Sequence, residues 1–335
     1  MTKRRPVRSN LGPDRYLRAG PETPPAPPRS DGLAPSLVES RRHLCEVLDA
    51  LADHRDGLVV IGSHAVHERT KHLAVGSTAT KDSDLAVIPS LVSAEPNLEQ
   101  VMRAAGFRPL GEFTEHPSYT RYEQEPGLWG KGFGPDGRPV AEVDFIVPDA
   151  LADGQDQTGS PASMATHGPK TTRTAPGIEL AAADRDLLPI SSFDDYSTRE
   201  VWVAGCTALL CAKAFKLGER VEQRNTTGRN RVRPKDGGDI WRLMAASDPT
   251  SVATTFVRLT GDKVVGPVAH AGLAHLSDLI RSGDLRELAI QELSDKLGDD
   301  EEVEAVYFEW THTFLRAKAE RESLTGLAVE LDDDH

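Results

Sequence analysis

The chain has 335 residues, enough for a large core in one elaborated domain or two ordinary ones, and we favour two. Its formal net charge of −13 argues against binding nucleic acid through overall charge, although a local basic patch is compatible with it. Three scattered cysteines, with no CxxC pair and no histidine at metal spacing, argue against a disulfide framework and a zinc site.

The first 34 residues hold many prolines and charges and too few apolar residues to pack. We predict a disordered tail over residues 1–34, with a partner-binding arm as the alternative. The basic N-terminus precedes no apolar run of signal-peptide length, and no later run approaches the ~20 apolar residues of a membrane span. We therefore expect a soluble, cytoplasmic protein with no membrane partner.

From Pro35 the sequence alternates between helix and strand patterns. Apolar residues recur at helical spacing through SLVESRRHLCEVLDALADHR and NLEQVMRAAGF, and the second of these ends in a glycine stop. Strands are predicted at GLVVIG and from Asp82 to Ile88, with a short helix, SHAVHERT, between them. The alternating segments YTRYEQ and PVAEVDFIVP, separated by the turn formers GPDGRP, predict a hairpin.

The second half of the chain has a different pattern. Residues 151–177 are polar with many small residues, which predicts a mobile loop, and from about residue 196 the chain reads as mostly helical. We therefore predict an α+β fold, in which a small mixed sheet flanked by helices precedes a helical C-terminal domain. The predicted domains span residues 35–195 and 196–335.

A glycine and a serine end the first predicted strand. In VVIGSHAV, Gly62 permits close backbone approach, and the free amides of the following helix would favour an anion such as phosphate. The alternative is a tight connection in which Ser63 is the N-cap of the helix. The turn alone does not choose between them.

Three aspartates lie in the predicted strands. Side chains alternate along a strand, so Asp82 and Asp84 project to one side, and Asp144 projects away from its apolar neighbours. Like charges this close repel, and a cation or a hydrogen-bond network would offset the repulsion. The three carboxylates could hold one or two Mg²⁺ ions shared with substrate phosphates. Alternatively, Asp82 is a turn residue and Asp84 an exposed strand residue.

A basic stripe borders the apolar face of the predicted helix CTALLCAKAFKLGERVEQR. Eight Lys or Arg residues lie between positions 213 and 235, against two glutamates. In so acidic a chain this indicates a local anion site, suited to a triphosphate or an RNA backbone. The alternative is a set of solvated side chains, with Asp236 as the N-cap of the helix DIWRLM. The candidate cations include Lys213, Lys216, Arg220, Arg224 and Lys235.

Together these motifs resemble the nucleotidyltransferases of the DNA polymerase beta superfamily, and within it the AbiEii-like group that includes toxins of toxin–antitoxin systems. The resemblance runs from about Val59 to Met244. It rests on the order and spacing of IGSHAV, TKDSDLAV, EVDFIV, the lysine of CAKAFKLGER, and KDGGDI. The resemblance implies that Gly62 and Ser63 bind the nucleotide phosphates.

The same resemblance assigns roles to the charged residues. It implies that Asp82 and Asp84 hold Mg²⁺, and that Asp144 helps to bind metal and to activate the acceptor hydroxyl. It also implies that Lys213 contacts the triphosphate. Lys235 and Asp236, together with Arg220 of the basic stripe, would complete the nucleotide-binding cleft from the helical side.

We therefore expect an enzyme that uses Mg²⁺, or Mn²⁺ in its place, to move a nucleoside monophosphate from a nucleoside triphosphate to an acceptor hydroxyl. The basic stretch RNTTGRNRVRPK favours an RNA end such as that of tRNA as the acceptor. A protein side chain, or a small molecule such as an antibiotic, would use the same catalytic parts. If the protein is a toxin, it has an antitoxin partner.

Two other classes of protein are open at this stage. The interval from Ser63 to Asp82 is longer than is usual in the family, and the arginine often found just before the Thr-x-Asp-x-Asp segment is absent, with Thr78 near that place. These departures motivate a non-catalytic nucleotide sensor that keeps the cleft without turnover. The third class is a structural protein in which the aspartates occur by chance.

Overall fold

The computed structural model describes residues 33–76, 80–112, 126–132, 139–152, 162, 164–194 and 197–332. The predicted tail lies outside this part of the chain except for its last two residues, and so does the predicted strand YTRYEQ. None of the helices in the described ranges is long and apolar enough to cross a lipid bilayer.

One mixed sheet of eight strands forms the first half of the fold. Its strands are β1 (Leu58–Ile61), β2 (Asp82–Val87), β3 (Arg108–Pro109), β4 (Leu128–Lys131), β5 (Ala141–Pro148), β6 (Arg173–Ala175), β7 (Arg185–Ser191) and β8 (Thr198–Ala204). Across the sheet the order is β3, β4, β5, β2, β1, β8, β7, and β6 also pairs with β5. The sheet is mixed because β1 runs antiparallel to β2 and parallel to β8, whereas β2 runs parallel to β5.

Nine α-helices lie in the described part of the chain, six of them after the sheet. They are α1 (Pro35–Ala50), α2 (Gly62–Thr70), α3 (Leu98–Ala104), α4 (Cys206–Thr227), α5 (Pro234–Ala245), α6 (Pro249–Thr260), α7 (Gly266–Ser282), α8 (Asp284–Leu297) and α9 (Asp300–Asp332). The six C-terminal helices pack mainly in pairs, α4 with α7, α5 with α8 and α6 with α9. The fold is therefore α+β with a helical C-terminal region.

The central strands are buried because helices cover them. All four residues of β1 are buried, and α1 and α2 both pack against β2. Ser83 of β2 donates a hydrogen bond of 3.1 Å to the backbone oxygen of Ser40 in α1. Because side chains alternate along a strand, Asp82 and Asp84 face away from α1.

The helices and strands predicted between residues 35 and 106 are confirmed with small changes at their ends. The first helix stops at Ala50 and continues as a 3₁₀ turn, Ala52–Gly57. The strand predicted at PVAEVDFIVP is confirmed as β5, and its antiparallel partner in the described residues is β4, Leu128–Lys131. The strand predicted at YTRYEQ lies outside the described residues. Periodicity located α1 and α3 because an amphipathic helix buries one apolar face.

Apart from the hairpin, four strands were not predicted from the sequence: β3, β6, β7 and β8. Strand β6 and three buried threonines lie in the second half of the segment that we predicted as a mobile loop. Residues 153–161 and residue 163 of that segment lie outside the described residues. Strands β7 and β8 pair antiparallel, and because β8 also pairs with β1, the sheet extends past residue 196 and the helices begin at Cys206. Pro189 made β7 a poor candidate, yet an edge strand tolerates proline.

Candidate active site

The register of β2 and β5 places the three predicted aspartates on one face of the sheet. Asp84 pairs directly with Asp144, and Asp82 with Glu142, in parallel register. Partners directly opposite in a ladder share a face, and residues two apart on one strand share it too. Asp82 lies exposed at the start of β2, Asp84 is half-buried, and Asp144 is only 7% exposed. Strands β2 and β5, which are distant in the sequence, thus form an acidic face. We define it as Asp82, Asp84 and Asp144.

Gly62 lies against this acidic face. It follows Ile61, the partner of Asp84 in the β1–β2 ladder, and its φ of 64° lies in the left-handed region. A Cβ at this position would overlap the Asp84 carboxylate. The turn therefore needs glycine both for its backbone conformation and for the close approach to Asp84. Helix α2 begins at Gly62 with Ile61 at the N-cap position, so the alternative reading of Ser63 as N-cap is wrong.

Burial, and then the neighbouring carboxylates, raise the pKa of Asp82 and of Asp144. Burial raises the pKa of Asp144 to about 7 although the Arg173 guanidinium lowers it, and the charges of Asp84 and Asp82 add to the rise. The pKa of Asp82 is also raised, first by partial burial and then by Asp84, whereas Lys235 opposes the rise. Partial burial thus disfavours the charged form of these two carboxyl groups, and nearby cations offset part of this effect.

Arg173 is a site residue that the sequence analysis missed. It is the first residue of β6, and its guanidinium contacts the Asp144 carboxylate with Nε 3.0 Å from Oδ1 and Nη2 2.5 Å from Oδ2. Such a two-point pair is the strongest geometry for an arginine and a carboxylate. No local signal in TTRTAPG indicated it, because the contact depends on how β6 is placed beside β5.

Helices α4 and α5 form a basic wall, defined as Lys213, Arg220 and Lys235 with the aspartates that pair with them. Lys213 is 8% exposed, and its Nζ lies 2.7 Å from Oδ2 of Asp239. Burial lowers the pKa of Lys213, but Asp239 raises it more, and Asp84 raises it as well, so that the net shift is upward. Lys213 is therefore a buried cation within electrostatic reach of the acidic face.

Arg220 and Asp236 form the second pair of the basic wall. Arg220 Nη1 donates to Oδ2 of Asp236, and Asp236 is buried. The interpretation of Asp236 as an N-cap is wrong, because α5 begins at Pro234 with Arg233 at the N-cap position. Lys235, on the same helical turn, is half-buried and lowers the pKa of Asp82. Helix α5 thus brings a cation towards the acidic face.

The remaining candidate cations divide into three groups. Lys216 lowers the pKa of Asp82 and so belongs near the acidic face. Arg224 instead donates to Asp284 at 2.9 Å, which directs it towards α8. The segment between α4 and α5 carries three exposed arginines, namely Arg229, Arg231 and Arg233.

A hydrogen-bond network beneath the acidic face was also missed. The Ser40 hydroxyl lies 3.1 Å from Nε2 of His64 and 3.3 Å from the backbone oxygen of Thr80. Ser83, between the two β2 aspartates, donates to the Ser40 backbone oxygen. Ser40 thus links the start of β2 to the helix that carries Gly62. His64 is fully buried, and burial holds its pKa well below the usual value.

The donor set of the acidic face suits a hard divalent cation, which prefers oxygen ligands. Within the described residues neither Asp82 nor Asp84 forms an ion pair with a Lys, Arg or His, and both remain available to a cation. No group of three or more His, Cys, Asp or Glu side chains stands ready as a complete metal site in these residues. Mg²⁺ commonly keeps waters and substrate oxygens as ligands, so one or two carboxylates are enough.

Comparison with known proteins gave no match to this chain, whether with family models, with curated proteins or with solved structures.

Proposed function

We propose that this protein is a nucleotidyltransferase that moves a nucleoside monophosphate from a nucleoside triphosphate to an acceptor hydroxyl. One observation carries the proposal: three sequence motifs that lie far apart in the chain meet as an acidic face opposite a basic wall. The resemblance to the DNA polymerase beta superfamily, and to its AbiEii-like group, rests on the same motifs. A chance set of aspartates would not be expected to converge in this way.

In this proposal Asp82 and Asp84 hold Mg²⁺, or Mn²⁺ in its place. The bound ion would neutralise charge on the triphosphate and on the leaving pyrophosphate. Gly62 and Ser63 bind phosphate at the start of α2, where free backbone amides favour an anion. On the opposite side, contacts to the triphosphate come from Lys213, Arg220 and Lys235, with Asp236 holding Arg220 in place.

The reaction is a displacement at phosphorus. An acceptor oxygen attacks the α-phosphorus, the bond from that phosphorus to the oxygen bridging to the β-phosphate breaks, and pyrophosphate leaves with that oxygen. The hydroxyl proton passes to a carboxylate, and Asp144 lies on the right face for this role. Lys213 offsets the negative charge that develops on the leaving group.

The acceptor we propose is an RNA end, such as that of tRNA. Three arginines are exposed between α4 and α5, directly before Lys235, and they supply a local basic surface on an acidic chain. As an RNA-modifying toxin the protein would be cytoplasmic and would have an antitoxin partner. A small-molecule hydroxyl, as in an antibiotic, remains the alternative acceptor.

The test is an incubation with Mg²⁺, each labelled nucleoside triphosphate in turn, and total RNA, followed by detection of label on RNA and on protein. Label on RNA from one nucleotide, lost in Asp84→Asn, is the expected result. Asp278→Asn is the matched control, since Asp278 forms an exposed pair with Arg281 and belongs neither to the acidic face nor to the basic wall. Full transfer by Asp84→Asn would remove the metal assignment.

The Arg173 contact favours a second candidate, a non-catalytic nucleotide-binding protein. An arginine fixed on Asp144 occupies the carboxylate that the resemblance assigns to the acceptor side. Such a protein would bind nucleoside triphosphate in calorimetry without releasing pyrophosphate. Measured pyrophosphate release that depends on Asp82 would exclude this candidate.

A further inference from the structure

Arg173 neutralises one particular carboxylate of the acidic face. Its guanidinium contacts both oxygens of Asp144, at 3.0 Å from Oδ1 and 3.2 Å from Oδ2 for Nε. The ion pairs of the described residues leave Asp82 and Asp84 without such a partner. One fixed positive charge therefore lies at the Asp144 end of the face, whereas the two other carboxylates have no ion pair in the described residues.

The fold holds Arg173 in this position. The backbone of Arg173 belongs to β6, whose ladder partner for this residue is Ile146, two residues after Asp144 on β5. Gly127, with a φ of 81°, leaves room for the arginine stem, because a Cβ there would lie 3.0 Å from Arg173 Cγ and 2.7 Å from the Phe145 oxygen. The Arg173 side chain is 25% exposed. The Arg173 side chain is therefore held in place by its strand and by its ion pair with Asp144, and it is not a freely solvated surface group.

A divalent cation beside Asp144 would lie next to this guanidinium. The two positive charges would repel each other, and the repulsion scales with the double charge of the cation. The guanidinium also occupies the lone pairs of both Asp144 oxygens that face it. By contrast, the pair Asp82 and Asp84 offers two carboxylates with no competing ion pair in the described residues.

We infer that the site binds one divalent cation, on Asp82 and Asp84, and that Arg173 takes the place of a second cation beside Asp144. This inference rests on the proposed function, because it concerns the charges that surround the triphosphate. Arg173 is a positioning residue in this account, since it acts on Asp144. The consequence is that Asp144 is a fixed carboxylate on the acceptor side and is not a ligand of the metal.

The test counts bound Mn²⁺ by electron paramagnetic resonance in the presence of the α,β-imido analogue of ATP. The measurement is then repeated with the α,β-imido analogues of the other three nucleoside triphosphates. We expect about one Mn²⁺ per chain in the wild type and about two in Arg173→Ala. Arg173→Lys keeps the positive charge and should keep about one. Arg199→Ala is the matched control, because Arg199, on β8, also forms a two-point pair with an aspartate, Asp49 of α1.

The outcomes separate this inference from the proposed function. About two ions in the wild type, or no gain in Arg173→Ala, would overturn the inference and leave the nucleotidyltransferase proposal intact. Absence of nucleotide-dependent Mn²⁺ binding in the wild type would overturn both. Circular dichroism would reveal whether Arg173→Ala folds. If it does not, the Mn²⁺ counts for the wild type and for Arg173→Lys decide the question. About one ion per chain in both supports the inference, and about two in the wild type refutes it.

Discussion

The acidic face and the basic wall differ in how their charges are used. On the acidic face, the described residues leave Asp82 and Asp84 without an ion pair, and only Asp144 is bound to an arginine. In the basic wall, Lys213 and Arg220 are each bound to an aspartate. Two carboxylates of the acidic face are therefore available to a ligand, whereas two cations of the basic wall already form ion pairs that hold the helices together. Removing a charge should consequently affect binding on the face and stability in the wall.

The largest expected effect is on stability, in the basic wall. Asp239→Ala would leave the buried Lys213 without its ion-pair partner. The buried Arg242 would also lose one of its hydrogen-bond partners. Breaking a buried pair in this way costs about 3–5 kcal/mol. Urea unfolding of the variant measures this loss of free energy. The control Asp278→Ala removes an exposed pair and should cost less than about 1 kcal/mol. Equal costs for the two variants would contradict the comparison.

A smaller effect is expected at the turn against the acidic face. Gly62→Ala should destabilise by about 1–3 kcal/mol, because it strains the backbone and forces the Asp84 carboxylate to move. Gly228 also has a positive φ, but a Cβ there meets nothing within 4 Å. The control Gly228→Ala should therefore share only the strain of the backbone.

Thermal melts with and without Mg²⁺ and nucleoside triphosphate separate the two glycines further. The stabilisation by ligand should disappear in Gly62→Ala and persist in Gly228→Ala. If both variants keep it, the approach of Gly62 to Asp84 has no part in binding.

The third prediction concerns pH and the network beneath the acidic face. The pKa of His64 is lower in the folded protein than in the unfolded chain, where it is about 6.5. Between these two values the unfolded chain binds the additional proton, so stability falls as the pH is lowered below about 6.5. The loss attributable to His64 approaches about 1.4 kcal/mol per pH unit.

His64→Asn should make the pH dependence of stability shallower, as measured by urea unfolding between pH 5 and about 7.5. The exposed His312 offers a control, since His312→Gln should leave the slope unchanged. An unchanged slope in His64→Asn would show that the buried imidazole does not govern acid stability.

The smallest effect on folding is expected between α4 and α5. Replacing Arg229, Arg231 and Arg233 together by alanine should leave the melting temperature nearly unchanged, because all three are exposed. If the acceptor is RNA, the slope of log affinity against log salt should fall by about 0.7 for each lost phosphate contact. An unchanged slope in filter binding would remove this surface from the acceptor site. The control Arg281→Ala lies on α7, far along the chain.

Sequence reasoning reached the acidic face because its residues carry local signals. Asp82 and Asp84 stand two apart at the start of an apolar run, and Asp144 interrupts another. Alternation along strands is enough to place such residues on one side. The direct pairing of Asp84 with Asp144 could not be predicted, because register between distant strands depends on the whole sheet.

The partners of these residues were beyond local reasoning. Arg173 lies in a polar stretch that resembles a loop, and it reaches Asp144 only because β6 pairs with β5. The pairing of Lys213 with Asp239 depends on how α4 packs against α5. The basic stripe was predicted as an anion site or as solvated side chains, and in the structure three of its cations, Lys213, Arg220 and Arg224, form ion pairs with neighbouring helices.

The connection between β8 and α4 bears on how a substrate could enter the proposed site. A single residue, Gly205, separates the strand from the helix, and its amide donates to the Asp184 backbone oxygen at 2.8 Å. The Asp184 side chain also accepts from the Ala208 amide at 2.7 Å, inside the first turn of α4. Two hydrogen bonds thus hold the start of the helix that carries Lys213 against Asp184, the residue before β7. If the proposed site opens and closes around a substrate, rotation of α4 about Gly205 would break both bonds, and we therefore expect surface segments to move instead.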